Sequence, residues 1–417
     1  METFNFKETM PVPAQVRISM SQNIIDDCEP LVKVGDHVRV GQDIGLDKKF
    51  PDMPIYSSVS GTVAAIENYQ MASGLTSNTV LIDTDGKQEP SPDLGTPKIS
   101  SKEDLVKAIR KSGTIGTAGA AFLNHVNMDD LLSGKIDTLI INGTEYNRYS
   151  DLERHMILEN SDNIIKTISC MDRFLDIKKY YICLDSSEKD AAAKMKYETR
   201  HNDLYNVDVV TLADNCPPGS DRVILYETTG EIAPPSSLVE DLGVAVTNIN
   251  SMYYIGEYLR TGMPLVSKRL VVKGSAYRKE KEIIAPLGAS IADISDFCGG
   301  YTSKPQKMYL GGAMLGRHID SDKYPLEKNN NLILAYLEDH PGLREEIDCE
   351  DCKRCQHVCP EGLLPHKLYE AFENKDIATL KKLDIEKCSS CGRCSFVCPA
   401  RKPLTFLHDV AKSYVRE

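Results

Sequence analysis

Eight cysteines near the C-terminal end constrain this chain more than any other feature. They fall in two runs: Cys349, Cys352, Cys355, Cys359, then Cys388, Cys391, Cys394, Cys398. Each run reads C-x2-C-x2-C-x3-C and is followed by a proline, Pro360 or Pro399. Thiolates are soft ligands that suit zinc and iron–sulfur clusters. A zinc site takes four ligands, often as two separated pairs, and has no use for a doubled quartet. A disulfide framework suits a small secreted chain, whereas the opening METFNFKETM lacks the basic flank and long apolar core of a signal peptide. The spacing is that of a bacterial dicluster ferredoxin, whose fourth cysteine ligates the other cluster. The expectation is two [4Fe–4S] clusters. Cys349, Cys352, Cys355 and Cys398 would hold one, and Cys388, Cys391, Cys394 and Cys359 the other.

The five remaining cysteines, Cys28, Cys170, Cys183, Cys216 and Cys298, have no ligand-like partner at short spacing. They read as small buried hydrophobes, with Cys216 and Cys298 set in turn sequences. A net charge of −12 over 417 residues argues against nucleic acid and against a polybasic membrane patch. No uninterrupted apolar stretch approaches the roughly 18–20 residues that span a bilayer. Together with oxygen-sensitive ligands, these features place the chain in a reducing cytoplasm, with peripheral association to a membrane complex left open.

The length predicts several domains. Over 13–85, short alternating segments are broken by turns at Gly35-Asp36 and Gly61, which predicts strands and hairpins. The paired phrases VKVGDHVRVGQ and SSVSGTV resemble the two halves of a barrel-sandwich hybrid, the fold of lipoyl and biotinyl carriers. Lys48 and Lys49 are not in a carrier's setting, so no covalent cofactor is expected. A Pro-rich linker covers 86–100. A helix begins at Ser101 with a capping pattern around Glu103, shows an apolar face at Leu105, Ala108 and Ile109, and ends at Gly113. Across 135–255, apolar segments TLIIN, YYICL, VDVVTL, DRVILY and VAVTNI alternate with polar helical stretches, which predicts an α/β layer with a largely parallel sheet. Residues 268–335 return to strands, KRLVVKG, KEIIAPLG and KMYLGG, around the helix SIADISDF, as in a small β-grasp module. The cysteine runs are separated by a helix near 363–373 and an Ile-Ala-Thr-Leu stretch.

Two further segments are candidate binding sites. SGTIGTAGAAFLNHVNM (112–128) is rich in small residues, and such a run lets backbone N–H groups approach a phosphate, or simply packs tightly in a turn. INGTEYNRYSDLERHM follows the strand TLIIN, so Asn142 and Gly143 fall at the carboxyl edge of the sheet, where open α/β sheets bind ligands. Glu145, Arg148 and Arg154 could contact a nucleotide there; a solvated charged loop is the plainer alternative.

With these pieces in order, the chain resembles the C subunit of the Rnf complex, which exchanges electrons between ferredoxin and NAD at the bacterial membrane. It is also similar to soluble relatives of that protein, such as the electron-transfer protein associated with proline reductase. The resemblance runs over nearly the whole chain and includes GVAVTNINSMYYI, GMPLVSKRLVVKG and GGAMLG (311–316). It implies a multidomain α/β and α+β architecture. The units would be a barrel-sandwich hybrid at 10–88, a Rossmann-like flavin-type α/β domain at 98–262, a β-grasp (SLBB) domain at 266–335 and a dicluster ferredoxin domain at 340–417. It also implies FMN and NADH as further cofactors, with Gly116, Gly119, Asn142 and Glu145 at the flavin site. The sequence departs from the family at Leu123, Asn124 and Asn127, where Pro, Thr and Lys are usual, and at Asn147 and Arg148, where Glu and Pro are usual. The departures favour a specialised relative that relays single electrons between a reduced donor, NADH- or ferredoxin-linked, and a partner reductase. An FMN- and NAD-binding member of the membrane complex and a cluster-bearing docking scaffold are the alternatives. Backbone N–H groups of Lys353, Arg354, Gly392 and Arg393 are the expected donors to cluster sulfurs. His357 and His366 read as surface residues.

Overall fold

In the computed structural model the described residues are 8–22, 28–47, 51–115, 125–145, 150–212, 221–234, 237–311, 317–337 and 346–416. The first strand, β1 (Glu8–Thr9), leaves its neighbours in sequence. The next strands are β2 (Gln15–Ser19), β3 (Glu29–Pro30), β4 (His37–Val38), β5 (Asp43–Leu46), β6 (Ile55–Tyr56), β7 (Gly61–Gln70) and β8 (Thr76–Thr84). They make two sheets, β2-β8-β7-β4 and β3-β5-β6. A shared core of Val16, Ile18, Ile44, Ile55, Val63 and Ile82 packs them together. The two similar phrases meet directly, because Val38 of β4 pairs with Gly61 of β7. Glycine is required at 61: a Cβ there would lie 2.1 Å from the Asp83 carbonyl oxygen.

Helix α1 (Lys102–Lys111) starts as expected, with Ser101 accepting from the Asp104 N–H. The reciprocal acid is Asp104 rather than Glu103, since the third helical residue is the one that can reach back to the cap. After α2 (His125–Ser133) come β9 (Thr138–Asn142), α3 (Leu152–Phe174), β10 (Lys179–Asp185), α4 (Lys189–His201) and β11 (Val207–Leu212), then α5 (Asp221–Thr229), β12 (Val244–Asn248) and α6 (Ile249–Thr261). The four strands are all parallel, in the order β11-β10-β9-β12. DRVILY, expected as a strand, is helix α5. A short apolar run does not discriminate the two by period. Here Ile224 and Leu225 cover the sheet at Ile140, Cys183 and Leu212. The opposite face packs on α3, α4 and α6 through Leu139, Ile141, Ile164, Ile168, Met195 and Met252.

Strands β13 (Ser267–Lys273) and β14 (Lys281–Pro286), helix α7 (Ile291–Phe297), and strands β15 (Lys307–Leu310), β16 (Arg317–Ile319) and β17 (Leu332–Tyr336) follow. They form a mixed sheet, β1-β14-β13-β17-β15-β16, in which β1 returns to lie parallel to β14. Helix α7 packs on one face through Ile291 and Ile294. On the other face Leu152 and Met156 of α3 meet Val271, Leu332 and Leu334. Arg269 binds Glu159 of α3 at 3.1 Å, and His155 lies 2.7 Å from Glu282. Each fully buried aliphatic side chain contributes roughly 1.5–3 kcal/mol, so the two sheets are firmly joined rather than strung on a linker. The last elements are α8 (Arg354–His357), α9 (Pro365–Glu373), α10 (Ile377–Lys382), α11 (Arg393–Phe396) and α12 (Leu404–Arg416).

Cys28, Cys183 and Cys298 are buried, as expected of packing residues, and Cys170 is partly so. Cys216, Lys48 and Lys49 lie outside the described residues. Among the described residues no helix is long and apolar enough to cross a membrane.

Candidate functional site

Each cysteine run bends the backbone in the same way. Around its second cysteine stand two residues with left-handed backbone: Asp351 (φ 49°) and Lys353 (φ 59°) in the first run, Ser390 (φ 55°) and Gly392 (φ 80°) in the second. Non-glycine residues avoid this region, and its repeated use marks turns that the surroundings hold in place. The turn ends in a short helix, α8 or α11, whose first turn carries the third cysteine, Cys355 or Cys394.

The thiols line two cavities. Cys349, Cys352, Cys355 and Cys398 border one, an opening of about 420 Å³ partly continuous with solvent. Cys388, Cys391, Cys394 and Cys359 border the other, of about 330 Å³. In both, three cysteines of one run meet the fourth of the other. Among the described residues no three His, Cys, Asp or Glu side chains gather as the ligands of a single metal ion.

Burial pushes the Cys394 thiol up to about 12 and raises Cys355, Cys359 and Cys391. These thiols resist ionising alone, whereas coordination deprotonates a thiol outright. Backbone N–H groups face the sulfurs: Gln356 and His366 toward Cys355, Glu361 and Leu363 toward Cys359, Ser395 toward Cys394. Of the four donors expected, Arg393 is seen facing Cys391.

Two imidazoles complete the picture. His366, expected at the surface, borders the first cavity with Nδ1 4.0 Å from Cys355 Sγ. It is only 11% exposed, because α9 turns it inward. His408, which the sequence reading missed, sits in the second cavity with Nδ1 3.8 Å from Cys388 Sγ. Its Nε2 donates to the Pro365 carbonyl at 3.2 Å. The cysteine runs are offset by 39 residues. That offset maps His366 onto Thr405 and Tyr369 onto His408, so each cavity has one imidazole, at different positions of the repeat. His357 is exposed, as expected.

The crevice at the carboxyl edge of the parallel sheet is a second candidate site. The strand order reverses between β9 and β12, and open α/β sheets bind ligands at such switch points. Asn142 and Asn248 end these strands in register with each other. Each uses its side-chain oxygen locally: Asn142 accepts from Thr144 N–H at 3.0 Å, Asn248 from Asn250 N–H at 2.8 Å. Among the described residues their amide NH2 groups are left buried without partners, as are Thr247 Oγ1, Asn250 Oδ1, Glu145 Oε2 and Glu188 Oε2. Buried polar groups are otherwise almost always satisfied, so this concentration makes the crevice a candidate for ligand binding. Asn142 and Glu145 are the residues of this set that the sequence analysis names. Thr247, Asn248, Asn250 and Glu188 are not among them, although the switch point could have pointed to the end of β12. Gly116, Gly119, Leu123, Asn124, Asn147 and Arg148 lie outside the described residues.

Glu145 has a local task as well. Its Oε1 accepts the N–H groups of Glu153 and Arg154 at 2.9 and 3.2 Å, capping α3 where Asp151 makes no side-chain cap. Burial, then the neighbouring Glu153, holds its carboxyl well above the usual range. Arg154, a candidate either for nucleotide contact or for a solvated charged loop, is paired with Asp190 on α4. Burial lifts Glu188 to about 8 and lowers Lys268 to about 7. A carboxyl raised by folding contributes stability below its ordinary value of 4.5 and loses it as pH rises toward its folded value. Lys268, a lowered base, acts with the opposite sign but only above about 7. The melting temperature is therefore expected to fall between about pH 5 and pH 7, and Glu188→Gln to flatten that fall. An unchanged slope in the variant would remove Glu188 from the account.

Sheet, crevice and thiol cavities define the class: an iron–sulfur electron-transfer protein built on a flavoprotein-like α/β scaffold. Three family models match in chain order. They are an RnfC barrel-sandwich hybrid domain over residues 6–87, a Nuo51 FMN-binding domain over 109–257 and a 4Fe-4S dicluster domain over 348–402. The chain is 31% identical to the C subunit of the ion-translocating oxidoreductase complex of Rhodobacter capsulatus, over 98% of this chain and 80% of that protein. It is 29% identical to the C subunit of the proton-translocating ferredoxin:NAD(+) oxidoreductase complex of Clostridium ljungdahlii, over 87% and 79%. The identity is also 29% to the C subunit of the Na(+)-translocating ferredoxin:NAD(+) oxidoreductase complex of Acetobacterium woodii, over 86% and 81%. The chain belongs to the RnfC family.

Proposed function

We propose that this chain relays single electrons between a reduced donor and a partner protein, as a subunit of an Rnf-type assembly or of a dedicated reductase. The partition of the thiols between two cavities carries the reading. Cys349, Cys352, Cys355 and Cys398 would hold one [4Fe–4S] cluster, and Cys388, Cys391, Cys394 and Cys359 the other. When bound, the clusters supply one-electron redox chemistry, and a flavin would couple it to two-electron donors. The backbone N–H groups around the sulfurs would offset cluster charge and help set potential. His366 and His408 would fix the walls of the two cavities.

FMN fits the crevice. The free amides of Asn142 and Asn248 and the Thr247 hydroxyl would donate to a heterocycle or its ribityl chain, with Asn250 Oδ1 as acceptor. Glu145, kept protonated, would present a neutral acid there without placing a charge against the flavin. Gly116 and Gly119 are proposed to line the phosphate end, with NADH reaching the same crevice. The unit boundaries 10–88, 98–262, 266–335 and 340–417 are proposed from the same reading, as is a place on the cytoplasmic face of the membrane.

The test is anaerobic purification with iron, sulfide and flavin counted, then NADH added while the visible absorption is followed. About eight irons, with flavin and bleaching by NADH, make this an NADH-linked relay. About eight irons with neither make it a relay fed by a protein donor. Stoichiometric zinc in place of iron and sulfide would end the reading. Asn142→Leu with Asn248→Leu is expected to empty the flavin site and leave the iron count unchanged.

A further inference from the structure

Each thiol cavity is closed by the same turn. After its fourth cysteine each run continues, as Pro360-Glu361-Gly362-Leu363 or as Pro399-Ala400-Arg401-Lys402. Gly362 and Arg401 both hold left-handed backbone, at φ 63° and 57°. Their N–H groups donate to the carbonyls of Cys359 and Cys398 at 3.2 and 3.1 Å. The two turns are thus equivalent and can be compared residue by residue. Ala400 and Lys402 border the cavity of Cys349, Cys352, Cys355 and Cys398. Their counterparts Glu361 and Leu363 border the cavity of Cys388, Cys391, Cys394 and Cys359. One wall has a cation where the other has leucine, and the second has a carboxylate where the first has alanine.

Counter-charges do not erase this difference. The Lys402 side chain is 13% exposed, while its carboxylate partner Glu346 stands 3.6 Å away and half exposed, where water screens it. The nearer partner of Lys402 is the neutral Tyr369 hydroxyl, which accepts at 3.2 Å. Glu361 is 5% exposed and lies 2.9 Å from Arg222 Nε of α5. Among the described residues its Oε1 nevertheless accepts no aligned hydrogen bond. Arg393 turns its guanidinium from the cavity toward Glu227 of α5, at 3.3 Å. Glu350 and Lys353, one of each sign, also border the first cavity, and both are exposed. Solvent separates the cavities in the same sense as Lys402 and Glu361. Cys349 and Cys352 are exposed, whereas Cys359, Cys388, Cys391 and Cys394 are partly or fully buried.

Reduction adds one negative charge to a cluster. A cation on the wall and nearby water favour that charge, and a buried carboxylate opposes it. We infer that Lys402 and Glu361 poise the two clusters at different potentials, with the cluster of Cys349, Cys352, Cys355 and Cys398 the higher. This rests on the relay reading above. An electron held by the Cys388 cluster then passes to the Cys349 cluster. One is oxidised as the other is reduced, and no bond or proton moves.

The test is a redox titration of the full chain, purified anaerobically with iron and sulfide counted, and followed by electron paramagnetic resonance. Two one-electron steps are expected, separated by about tenfold or more in reduction constant, which is about 59 mV or more. Lys402→Gln is expected to lower the upper step alone, by about tenfold, and Lys402→Arg to leave it in place. Glu361→Gln is expected to raise the lower step alone. Arg222→Met strips the cation from Glu361 and is expected to push the lower step further down. Mere loosening of the wall would admit water and raise it instead. Ala400→Glu with Lys402→Leu gives the first wall the residues of the second, and is expected to bring the two steps together. If one of these variants loses iron, the others decide, since Lys402 and Glu361 govern different steps. Coincident steps in the unaltered chain, a lower step moved by Lys402→Gln, or a lower step raised by Arg222→Met would overturn the inference. Absent iron and sulfide would end the relay reading itself, a separate result.

Discussion

A chain carrying Cys398→Ala is expected to lose about four of its about eight irons, and the lost ones are those beside Cys349, Cys352 and Cys355. The residue removed belongs to the other run, so the result is not what proximity in sequence suggests. Single variants alone do not separate the two wirings, since either loses one cluster. Double variants do. Cys398→Ala with Cys349→Ala removes two ligands of one cavity and is expected to keep about four irons. Cys398→Ala with Cys388→Ala removes one ligand from each cavity and is expected to keep almost none. Runs that each closed on themselves would give the reverse pattern. Iron and acid-labile sulfide decide it, and a chain that unfolds on any substitution would show no contrast between the two pairs. The geometry favours the crossed wiring because Cys398 shares a cavity wall with Cys349, Cys352, Lys402 and Leu404. Cys359 shares the other with Cys388, Thr405 and His408.

This partition was legible in the sequence because a cluster imposes its spacing on the chain that wraps it. The parallel strands TLIIN, YYICL, VDVVTL and VAVTNI were legible too, since each is a short apolar run between polar helices. DRVILY was misread for the same reason: an apolar run has the same composition in a buried helix, and only the sheet face at Ile140 and Cys183 shows which it is. Arg154 was legible as a charge, but its partner Asp190 lies 36 residues away on another helix. His408 and Thr247 carried no local signal. Their roles arise where α12 meets the thiol cavity and where β12 meets β9, which are tertiary facts.

The misread helix bears on the second large effect. Arg222→Met is expected to destabilise the attachment of the thiol cavities to the α/β body by about 3 kcal/mol, toward the lower end for a broken buried pair. Glu361 is 5% exposed and would be left without its cation, while Arg222 is 17% exposed, which softens the cost. Arg222 also donates to the carbonyls of Ala233, Pro234 and Ser237 at 2.7, 3.1 and 2.8 Å, so the single variant frees that segment as well. Glu361→Gln separates the two contributions, because it keeps those carbonyl contacts and removes only the ion pair. The double variant Arg222→Met with Glu361→Met leaves no orphaned charge and is expected to recover much of the loss. Hydrogen exchange on α5, α11 and the 359–363 turn would measure it. The single variant should exchange faster there while β9, β10 and β12 stay protected, because the parallel core does not depend on this pair. Its iron content should hold, since no thiol has moved from its ring. Electron exchange between crevice and cavities should slow, because the pair fixes their separation. Uniformly faster exchange through the parallel sheet would instead make Arg222 a residue of the core and not of the joint.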